Sequence, residues 1–286
     1  MRIVGANIVR KRLLQTVVAS STGRWLLGAV LAAAVLGWLN SGTEAGLAAA
    51  GAPGRETATV TIADGGSLGN GASHTGTIAI AGEVDTWTFT ANAGDRMAVH
   101  IGEIMDNNDF RPWIRLRAPG GASLGDTWGT DAAVIDDVVA PATGTYEVLV
   151  ASRDSGFNGT GTYRLTMTRT PGPITVSAGD EGGPLTNGAT HSGEILQGDV
   201  DVWTFTAQAG QRIAVHIGEV TETDDFRPWI RLWAPTGASL GDTFGMATAQ
   251  ISATATVTGT YLVLVASLDG GFDGTGTYSL IVDVTP

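Results

Sequence analysis

The chain contains no cysteine. That excludes disulfide staples, thiolate catalysis, iron–sulfur clusters, cysteine zinc sites and acylation of a lipoprotein cysteine. It has a single lysine, Lys11, and its 16 basic residues face 28 acidic ones, for a formal net charge of −12. The shortage is sharper beyond the N-terminus. Residues 51–286 hold 11 basic against 27 acidic residues, a net of −16. A body of that sign lacks the basic stripe that a phosphate backbone requires, which argues against nucleic acid as a partner. Charged residues make up only 15% of the chain and hydrophobic ones 43%, too apolar for a disordered chain and enough to fill real cores.

Charge is also missing from one continuous stretch. Residues 25–43, WLLGAVLAAAVLGWLNSGT, are 19 positions without a charge between Arg24 and Glu44. As a helix they would measure about 28 Å, close to the ~30 Å hydrocarbon core of a bilayer. Trp25 and Trp38 sit near the two ends, where amphipathic rings favour the interface. Arg2, Arg10, Lys11, Arg12 and Arg24 all precede the span, which places the body outside the cytoplasm. Two fates are open to this segment. Ala48-Ala49-Ala50 offers a signal-peptide cleavage site, but it lies far from the apolar run ending at Leu39. An uncleaved anchor explains the full-length span better. The expected layout is a basic cytoplasmic leader at 1–24, a transmembrane helix at 25–43 and an Ala/Gly-rich linker at 44–57.

The remainder is an internal duplication. Residues 86–129 match residues 202–245 at 32 of 44 positions. The tails TGTYEVLVASRDSGFNGTGTYRLTM (143–167) and TGTYLVLVASLDGGFDGTGTYSLIV (258–282) also correspond. Within each copy the apolar period is two: Trp87 and Phe89 alternate with threonines, and Met97, Val99 and Ile101 alternate with Ala98 and His100. Such alternation, rich in β-branched and aromatic residues and punctuated by Gly-containing turns, predicts half-buried strands. No helical period appears after residue 50. The predicted class is all-β: two tandem sandwiches at 58–170 and 171–286, joined by the proline-stiffened Arg169-Thr-Pro-Gly-Pro173.

Gly198-Asp199-Val200-Asp201-Val202-Trp203-Thr204-Phe205, Ala209-Gly210, Ala234-Pro235-Thr236-Gly237, Gly259-Thr260-Tyr261 and Gly276-Thr277-Tyr278 together resemble the bacterial pre-peptidase C-terminal family. The first copy fits with Gly82-Glu83-Val84-Asp85 at the start. The resemblance spans both copies and omits the first 57 residues. It implies a jelly-roll-like β-sandwich that usually accompanies a secreted peptidase, sometimes binding collagen or polysaccharide and sometimes calcium. This chain departs from the family by carrying no catalytic domain.

Candidate chemistry is sparse. Gly121-Ala-Ser123-Leu-Gly125 and Gly237-Ala-Ser239-Leu-Gly241 match a nucleophile elbow, but they follow a turn and lack the strand-to-helix setting the motif needs. His74, His100, His191 and His216 recur two per copy without metal-ligand spacing. The body is therefore expected to be non-catalytic and to need no cofactor, with calcium the one ion its acidic loops could hold. For calcium, Glu103, Asp106 and Asp109, with Asn107 and Asn108 between them, cluster before one strand, and Glu219, Asp224 and Asp225 repeat the cluster. Hard cations want several oxygen ligands converging from a loop. The alternative is a solvated acidic loop. Asp154 and Asn158, matched by Asp269 and Asp273, form a further acidic loop, without the closing glutamate of an EF-hand.

The most informative surface is the strand DFRPWIRL. With Ile114 and Leu116 inward, Arg111, Trp113, Arg115 and Arg117 fall on the opposite face, and Arg227, Trp229, Arg231 and Trp233 repeat the row. Arginine alternating with tryptophan can stack as cation–π pairs, and both are enriched in binding hot spots. The competing account is a ladder covered by a neighbouring strand or by the other copy. The functional expectation is a non-catalytic, membrane-anchored accessory or stabilising subunit, its body in the periplasm or extracellular space, docked on a protein partner in an integral membrane complex. A respiratory or photosynthetic assembly is among the hosts that fit. The alternative is a secreted module, freed of its N-terminus, that binds polysaccharide or a matrix protein.

Overall fold

The computed structural model describes residues 63–105, 109–221, 225–268 and 274–286. The leader, the span with Trp25 and Trp38, and the linker lie outside the described residues. No helix among the described residues is long and apolar enough to cross a membrane.

The all-β expectation holds. Strands β1 (Gly65–Ser67), β2 (Ser73–Ile78), β3 (Asp85–Ala91), β4 (Arg96–Glu103), β5 (Pro112–Arg117), β6 (Ser123–Trp128), β7 (Ala132–Val139), β8 (Gly144–Ser152) and β9 (Gly161–Thr170) form two sheets, ordered β1-β3-β8-β5-β6 and β2-β9-β4-β7. Strands β10 (Gly182–Pro184), β11 (Thr190–Ile195), β12 (Asp201–Ala207), β13 (Arg212–Glu219), β14 (Pro228–Trp233), β15 (Ser239–Phe244), β16 (Thr248–Thr254), β17 (Gly259–Ser267) and β18 (Gly276–Thr285) repeat the plan as β10-β12-β17-β14-β15 and β11-β18-β13-β16. Pairing is antiparallel except at β1 with β3 and β10 with β12.

The period of two determines which side chains meet. In β3, Trp87 and Phe89 are buried while Thr86 and Thr90 are exposed. They face Met97, Val99 and Ile101 of β4 and Tyr163, Leu165 and Met167 of β9 in one apolar core. The second sandwich has its own core, built from Trp203, Phe205, Ile213, Val215, Tyr278 and Leu280 among others. Each core is crossed by a buried polar chain that bridges its two sheets. Trp87 Nε1 donates to Tyr163 Oη (2.8 Å), and the Tyr163 hydroxyl donates to Asp85 Oδ2 (2.6 Å). Trp203, Tyr278 and Asp201 repeat the chain. Buried donors and acceptors satisfied in this way specify the packing of one sheet on the other.

A third apolar cluster joins the two sandwiches. Val202, Trp229, Trp233, Leu262, Leu264 and Ala266 on the outer face of β12-β17-β14 pack with Ala98 of β4. The contact is head-to-tail: the five-stranded sheet of the second sandwich lies on the four-stranded sheet of the first. Gly198 and Gly102 approach closely here: a Cβ on Gly198 would stand 2.7 Å from the Gly102 Cα. The join is clamped as well. The Asn70 amide donates to the carbonyls of Arg169 (2.9 Å) and Pro173 (2.9 Å), and its Oδ1 accepts from the Arg169 amide (2.6 Å).

Candidate functional site

In β5 the side chains alternate as the sequence predicts: Ile114 and Leu116 are fully buried, whereas Trp113, Arg115 and Arg117 are half-buried on the outer face. The outer residues are tied into a compact unit. Asp126, from the neighbouring β6, accepts from Trp113 Nε1 (2.8 Å) and Arg115 Nε (2.7 Å), and the Arg115 guanidinium stacks 5.0 Å from the Trp113 ring. Burial raises the Asp126 carboxyl, but the hydrogen bonds from Arg115 and Trp113 and the charges of Arg115 and Arg153 together outweigh it and hold the group below its ordinary pKa. Arg117 stands 3.9 Å from Glu147 on β8. Trp128, across the β5–β6 pair from Trp113, is 49% exposed with Arg153 stacked over it. Arg111 precedes the strand, and its amide donates to Ser152 Oγ (3.1 Å), as the Arg227 amide does to Ser267 Oγ (3.1 Å).

The second row has the same internal geometry and a different setting. Trp229 Nε1 (2.8 Å) and Arg231 Nε (2.8 Å) donate to Asp242, and Arg231 stacks on Trp229 at 5.3 Å. The row points away from its own core, as expected, but it is not open to an outside partner, because the first sandwich covers it. Trp229 is 4% exposed and Trp233 1%. Arg231 also pairs with Asp136 of β7, and the Trp229 ring lies 6.2 Å from that of His100 on β4. Burial, with the positive Arg231 adding to it, pushes the His100 imidazole down to about 4. Arg164 of β9 pairs with Asp199 at 2.8 Å across the same interface.

The expected calcium loops are only partly in view. Asp106 and Asp224, with residues 107, 108, 222 and 223, lie outside the described residues. Glu103 is buried at the end of β4, and Glu219 ends β13 half-buried. Asp109 accepts from the Thr160 amide (3.0 Å) and hydroxyl (3.2 Å), and Asp225 does the same with Thr275 (3.0 and 2.9 Å). Each therefore staples a loop to the start of the last strand of its sandwich. Asp154 is taken up by the amides of Gly156, Asn158 and Gly159.

A different carboxylate group converges in the second sandwich. Asp180, Glu181 and Asp201 place ligand oxygens all within 4.8 Å of one another. Asp201 is fully buried; its Oδ2 accepts from the Tyr278 hydroxyl, while its Oδ1 has no hydrogen-bond partner. Burial pushes Asp201 up to about 9 and Asp180 up to about 6, with neighbouring carboxylates adding to both. Converging carboxylate oxygens are the donor set a hard divalent ion takes, although Arg164, paired with Asp199, also acts on Asp180. In the first sandwich the matching Asp85 Oδ1 is satisfied by the Asp64 amide at 2.8 Å. The sequence pointed to this site only weakly. Asp199 and Asp201 stood in a fold-forming motif, and Asp180 and Glu181 lie some twenty residues upstream. The parallel pairing of Gly182 with Val202 brings the two segments together.

The serines of the G-x-S-x-G matches open the second strand of a hairpin, β6 and β15, and both are exposed. The Ser123 hydroxyl donates to the Gly125 carbonyl at 3.4 Å. His74 and His191 each accept a backbone amide, from Gly69 (3.1 Å) and Thr186 (3.0 Å), and lie 5.4 Å from Trp87 and Trp203 respectively.

No protein-family model and no curated protein matches the chain. Among solved structures it is similar to the PliG periplasmic inhibitor of g-type lysozyme from Aeromonas hydrophila, at 22% identity over 36% of this chain and 96% of that one, with a TM-score of 0.30. It is also similar to the pre-peptidase C-terminal domain of a Bacillus anthracis collagenase, at 22% identity, 36% and 96% coverage and a TM-score of 0.28. Tandem carbohydrate-binding modules of a Streptococcus pneumoniae family 98 glycoside hydrolase align at 8% identity, 70% and 80% coverage and a TM-score of 0.24. Likenesses this faint carry nothing about function.

Proposed function

We propose that this chain is a non-catalytic binding protein of the pre-peptidase C-terminal type, held at a membrane by residues 25–43 with both sandwiches outside the cytoplasm. It docks through the outer face of β5 and β8, chiefly Trp113, Arg115 and Arg117, on a protein partner in a larger membrane assembly. One observation carries this. The Trp–Arg–Asp unit occurs twice in the chain, and one of the two copies is already buried against the face of a protein sheet. The exposed copy offers a partner the same planar stack, the same fork of donors and a neighbouring aromatic ring. Arginine and tryptophan pre-assembled in this way lose little side-chain entropy on binding.

The test is recovery of the native protein from gently solubilised membranes, with its N-terminal peptide and co-purifying proteins identified by mass spectrometry. Retention of residues 1–50 and a stoichiometric partner lost in Trp113→Ala supports the proposal. A soluble form beginning near Gly51 without a partner overturns it. A second function rests on Trp113 and Trp128 lying side by side, an aromatic platform of the kind on which sugar rings stack. On that account the chain is a secreted polysaccharide- or matrix-binding module, and Trp113→Ala abolishes retention on insoluble glycan.

A further inference from the structure

The internal interface pairs two faces that each occur twice in the chain. The outer face of the five-stranded sheet acts as donor and that of the four-stranded sheet as acceptor. One donor and one acceptor are consumed between the sandwiches. Among the described residues, nothing covers the donor face of the first sandwich or the acceptor face of the second. Building on the docking face proposed above, we propose that one partner of that face is a second copy of this chain, bound head-to-tail on the outer face of β18-β13-β16.

The acceptor side shows the match. On the first sandwich, His100, Thr127, Trp128, Val134 and Asp136 line the groove that receives Trp229 and Arg231. On the second, the equivalent His216, Thr243, Phe244 and Gln250, with Ser279 and Ile281, line an open groove of about 580 Å³. The close-approach glycines survive at both new positions, Gly82 for Gly198 and Gly218 for Gly102. The docking unit Trp113–Arg115–Asp126 keeps the geometry of the buried one.

Where the faces differ, two of the changes are complementary in charge. Trp233 is replaced by Arg117 and Leu262 by Glu147 on the free donor face. In the internal contact Trp233 and Leu262 cluster with Ala98, whose cross-strand neighbour is Thr168, and Leu262 shares a groove with Thr170. On the free acceptor face the matching pairs are Ala214 with Asp283 and Arg212 with Thr285. Superposing the internal contact on the free faces therefore brings Arg117 to Asp283 and Glu147 to Arg212. The ion pairs of Arg231 with Asp136 and of Arg164 with Asp199 have no counterpart, because Ser252 and Ser279 stand at the matching positions. A permanent apolar contact is thus converted into a polar, reversible and salt-sensitive one. Donor and acceptor are different surfaces, so the contact adds chains in a row rather than closing a dimer.

The absence of cysteine makes the test clean. Full-length Arg117→Cys and Asp283→Cys chains are mixed in mild detergent and oxidised, with Arg117→Cys plus Gln208→Cys as the collision control. The expected result is a disulfide-linked heterodimer formed several-fold above the control and above the Arg117→Cys homodimer. It should fall several-fold when Trp113→Ala is added to the Arg117→Cys chain. Circular dichroism confirms that each variant is folded, and sedimentation of the wild type should show growth with concentration beyond the dimer. Heterodimer at the control level, or wild type that stays monomeric across the same range, overturns self-association. If the heterodimer stays at the control level while Trp113→Ala still loses the membrane partner, self-association falls and the docking face stands. If Trp113→Ala changes neither, both fall.

Discussion

Trp233→Ala should uncouple the two sandwiches without unfolding either. A tryptophan buries on the order of 200 Å², which at about 25 cal/mol per Å² amounts to about 5 kcal/mol. Trp233 faces away from its own core, so only part of that burial comes from folding its sandwich. The half-buried Arg117 at the same register of the first copy shows what an undocked residue there retains. Assigning about half to the docking contact leaves ~2–3 kcal/mol for the interface. Against a domain stability of about 5–15 kcal/mol, that is enough to separate two coupled transitions. Urea unfolding followed in parallel by tryptophan fluorescence and far-ultraviolet circular dichroism reads the effect. In the wild type the two probes should give coincident curves, and in Trp233→Ala they should part. Arg117→Ala, on the free face, should shift stability by no more than about 0.5 kcal/mol. A Trp233→Ala loss no larger than that of Arg117→Ala, with probes still coincident, would refute the claim that the second row is a structural contact.

The other predictions concern titration, metal and packing. The folded pKa of His100 is held at about 4, so below its ordinary value of 6.5 the unfolded chain takes a proton that the folded one refuses. Its contribution is complete above pH 6.5 and is lost as pH falls toward 4, about 2.5 kcal/mol by pH 4.5. Asp85, raised to about 6 chiefly by burial, acts in the opposite sense, costing stability above pH 6 and releasing that cost as pH falls toward 3.8. The His100 term is therefore read as wild type minus His100→Gln in denaturant titrations at pH 7 and pH 4.5. Calcium should raise the melting temperature of the wild type and bind in calorimetry, and Asp201→Asn should remove both effects while Asp85→Asn leaves them. Gly193→Ala should destabilise the second sandwich by about 1–3 kcal/mol, because its Cβ would meet the Tyr278 ring; a neutral result in thermal unfolding would refute the close packing there.

The strands were legible because their alternation is local and strong. Ile114 and Leu116 in, Trp113, Arg115 and Arg117 out, follows from six consecutive residues. What covers the outer face was not legible by the same means, since both rows read alike within the strand. Coverage depends on residues far away in sequence: Ala98 and His100 on β4, and Leu262 and Leu264 on β17. The Asp180, Glu181 and Asp201 cluster was missed for the same reason, because a parallel pair, not a loop, assembles it. By contrast, the acidic runs around residues 106 and 224 stand out in the sequence because they are contiguous, and contiguity says little about convergence. Asp109 and Asp225 each turn Oδ2 to a distant threonine, Thr160 and Thr275.

Comparing the copies recovers part of what one copy conceals. Through 86–129 and its repeat the chain is nearly the same sequence twice, so a position that changes character marks a change in surroundings. Thr86, Arg117 and Glu147 in the first copy become Val202, Trp233 and Leu262 in the second. All three second-copy residues are buried between the sandwiches. Trp113, Arg115 and Asp126 do not change at all, although their surroundings differ as much as those of the other three. If the unit served only the internal contact, the free copy would have no reason to keep an indole and a guanidinium in register on one carboxylate. Its persistence on the open face, beside residues altered toward charge, is what a surface retained for contact and adjusted for reversibility should look like. Trp113→Ala and Arg117→Ala therefore ought to separate in any docking assay: the first removes the retained unit and abolishes binding, and the second only weakens it and flattens its salt dependence. Equal loss from the two substitutions would mean that the face acts through charge alone and that the stacked unit has no part in recognition.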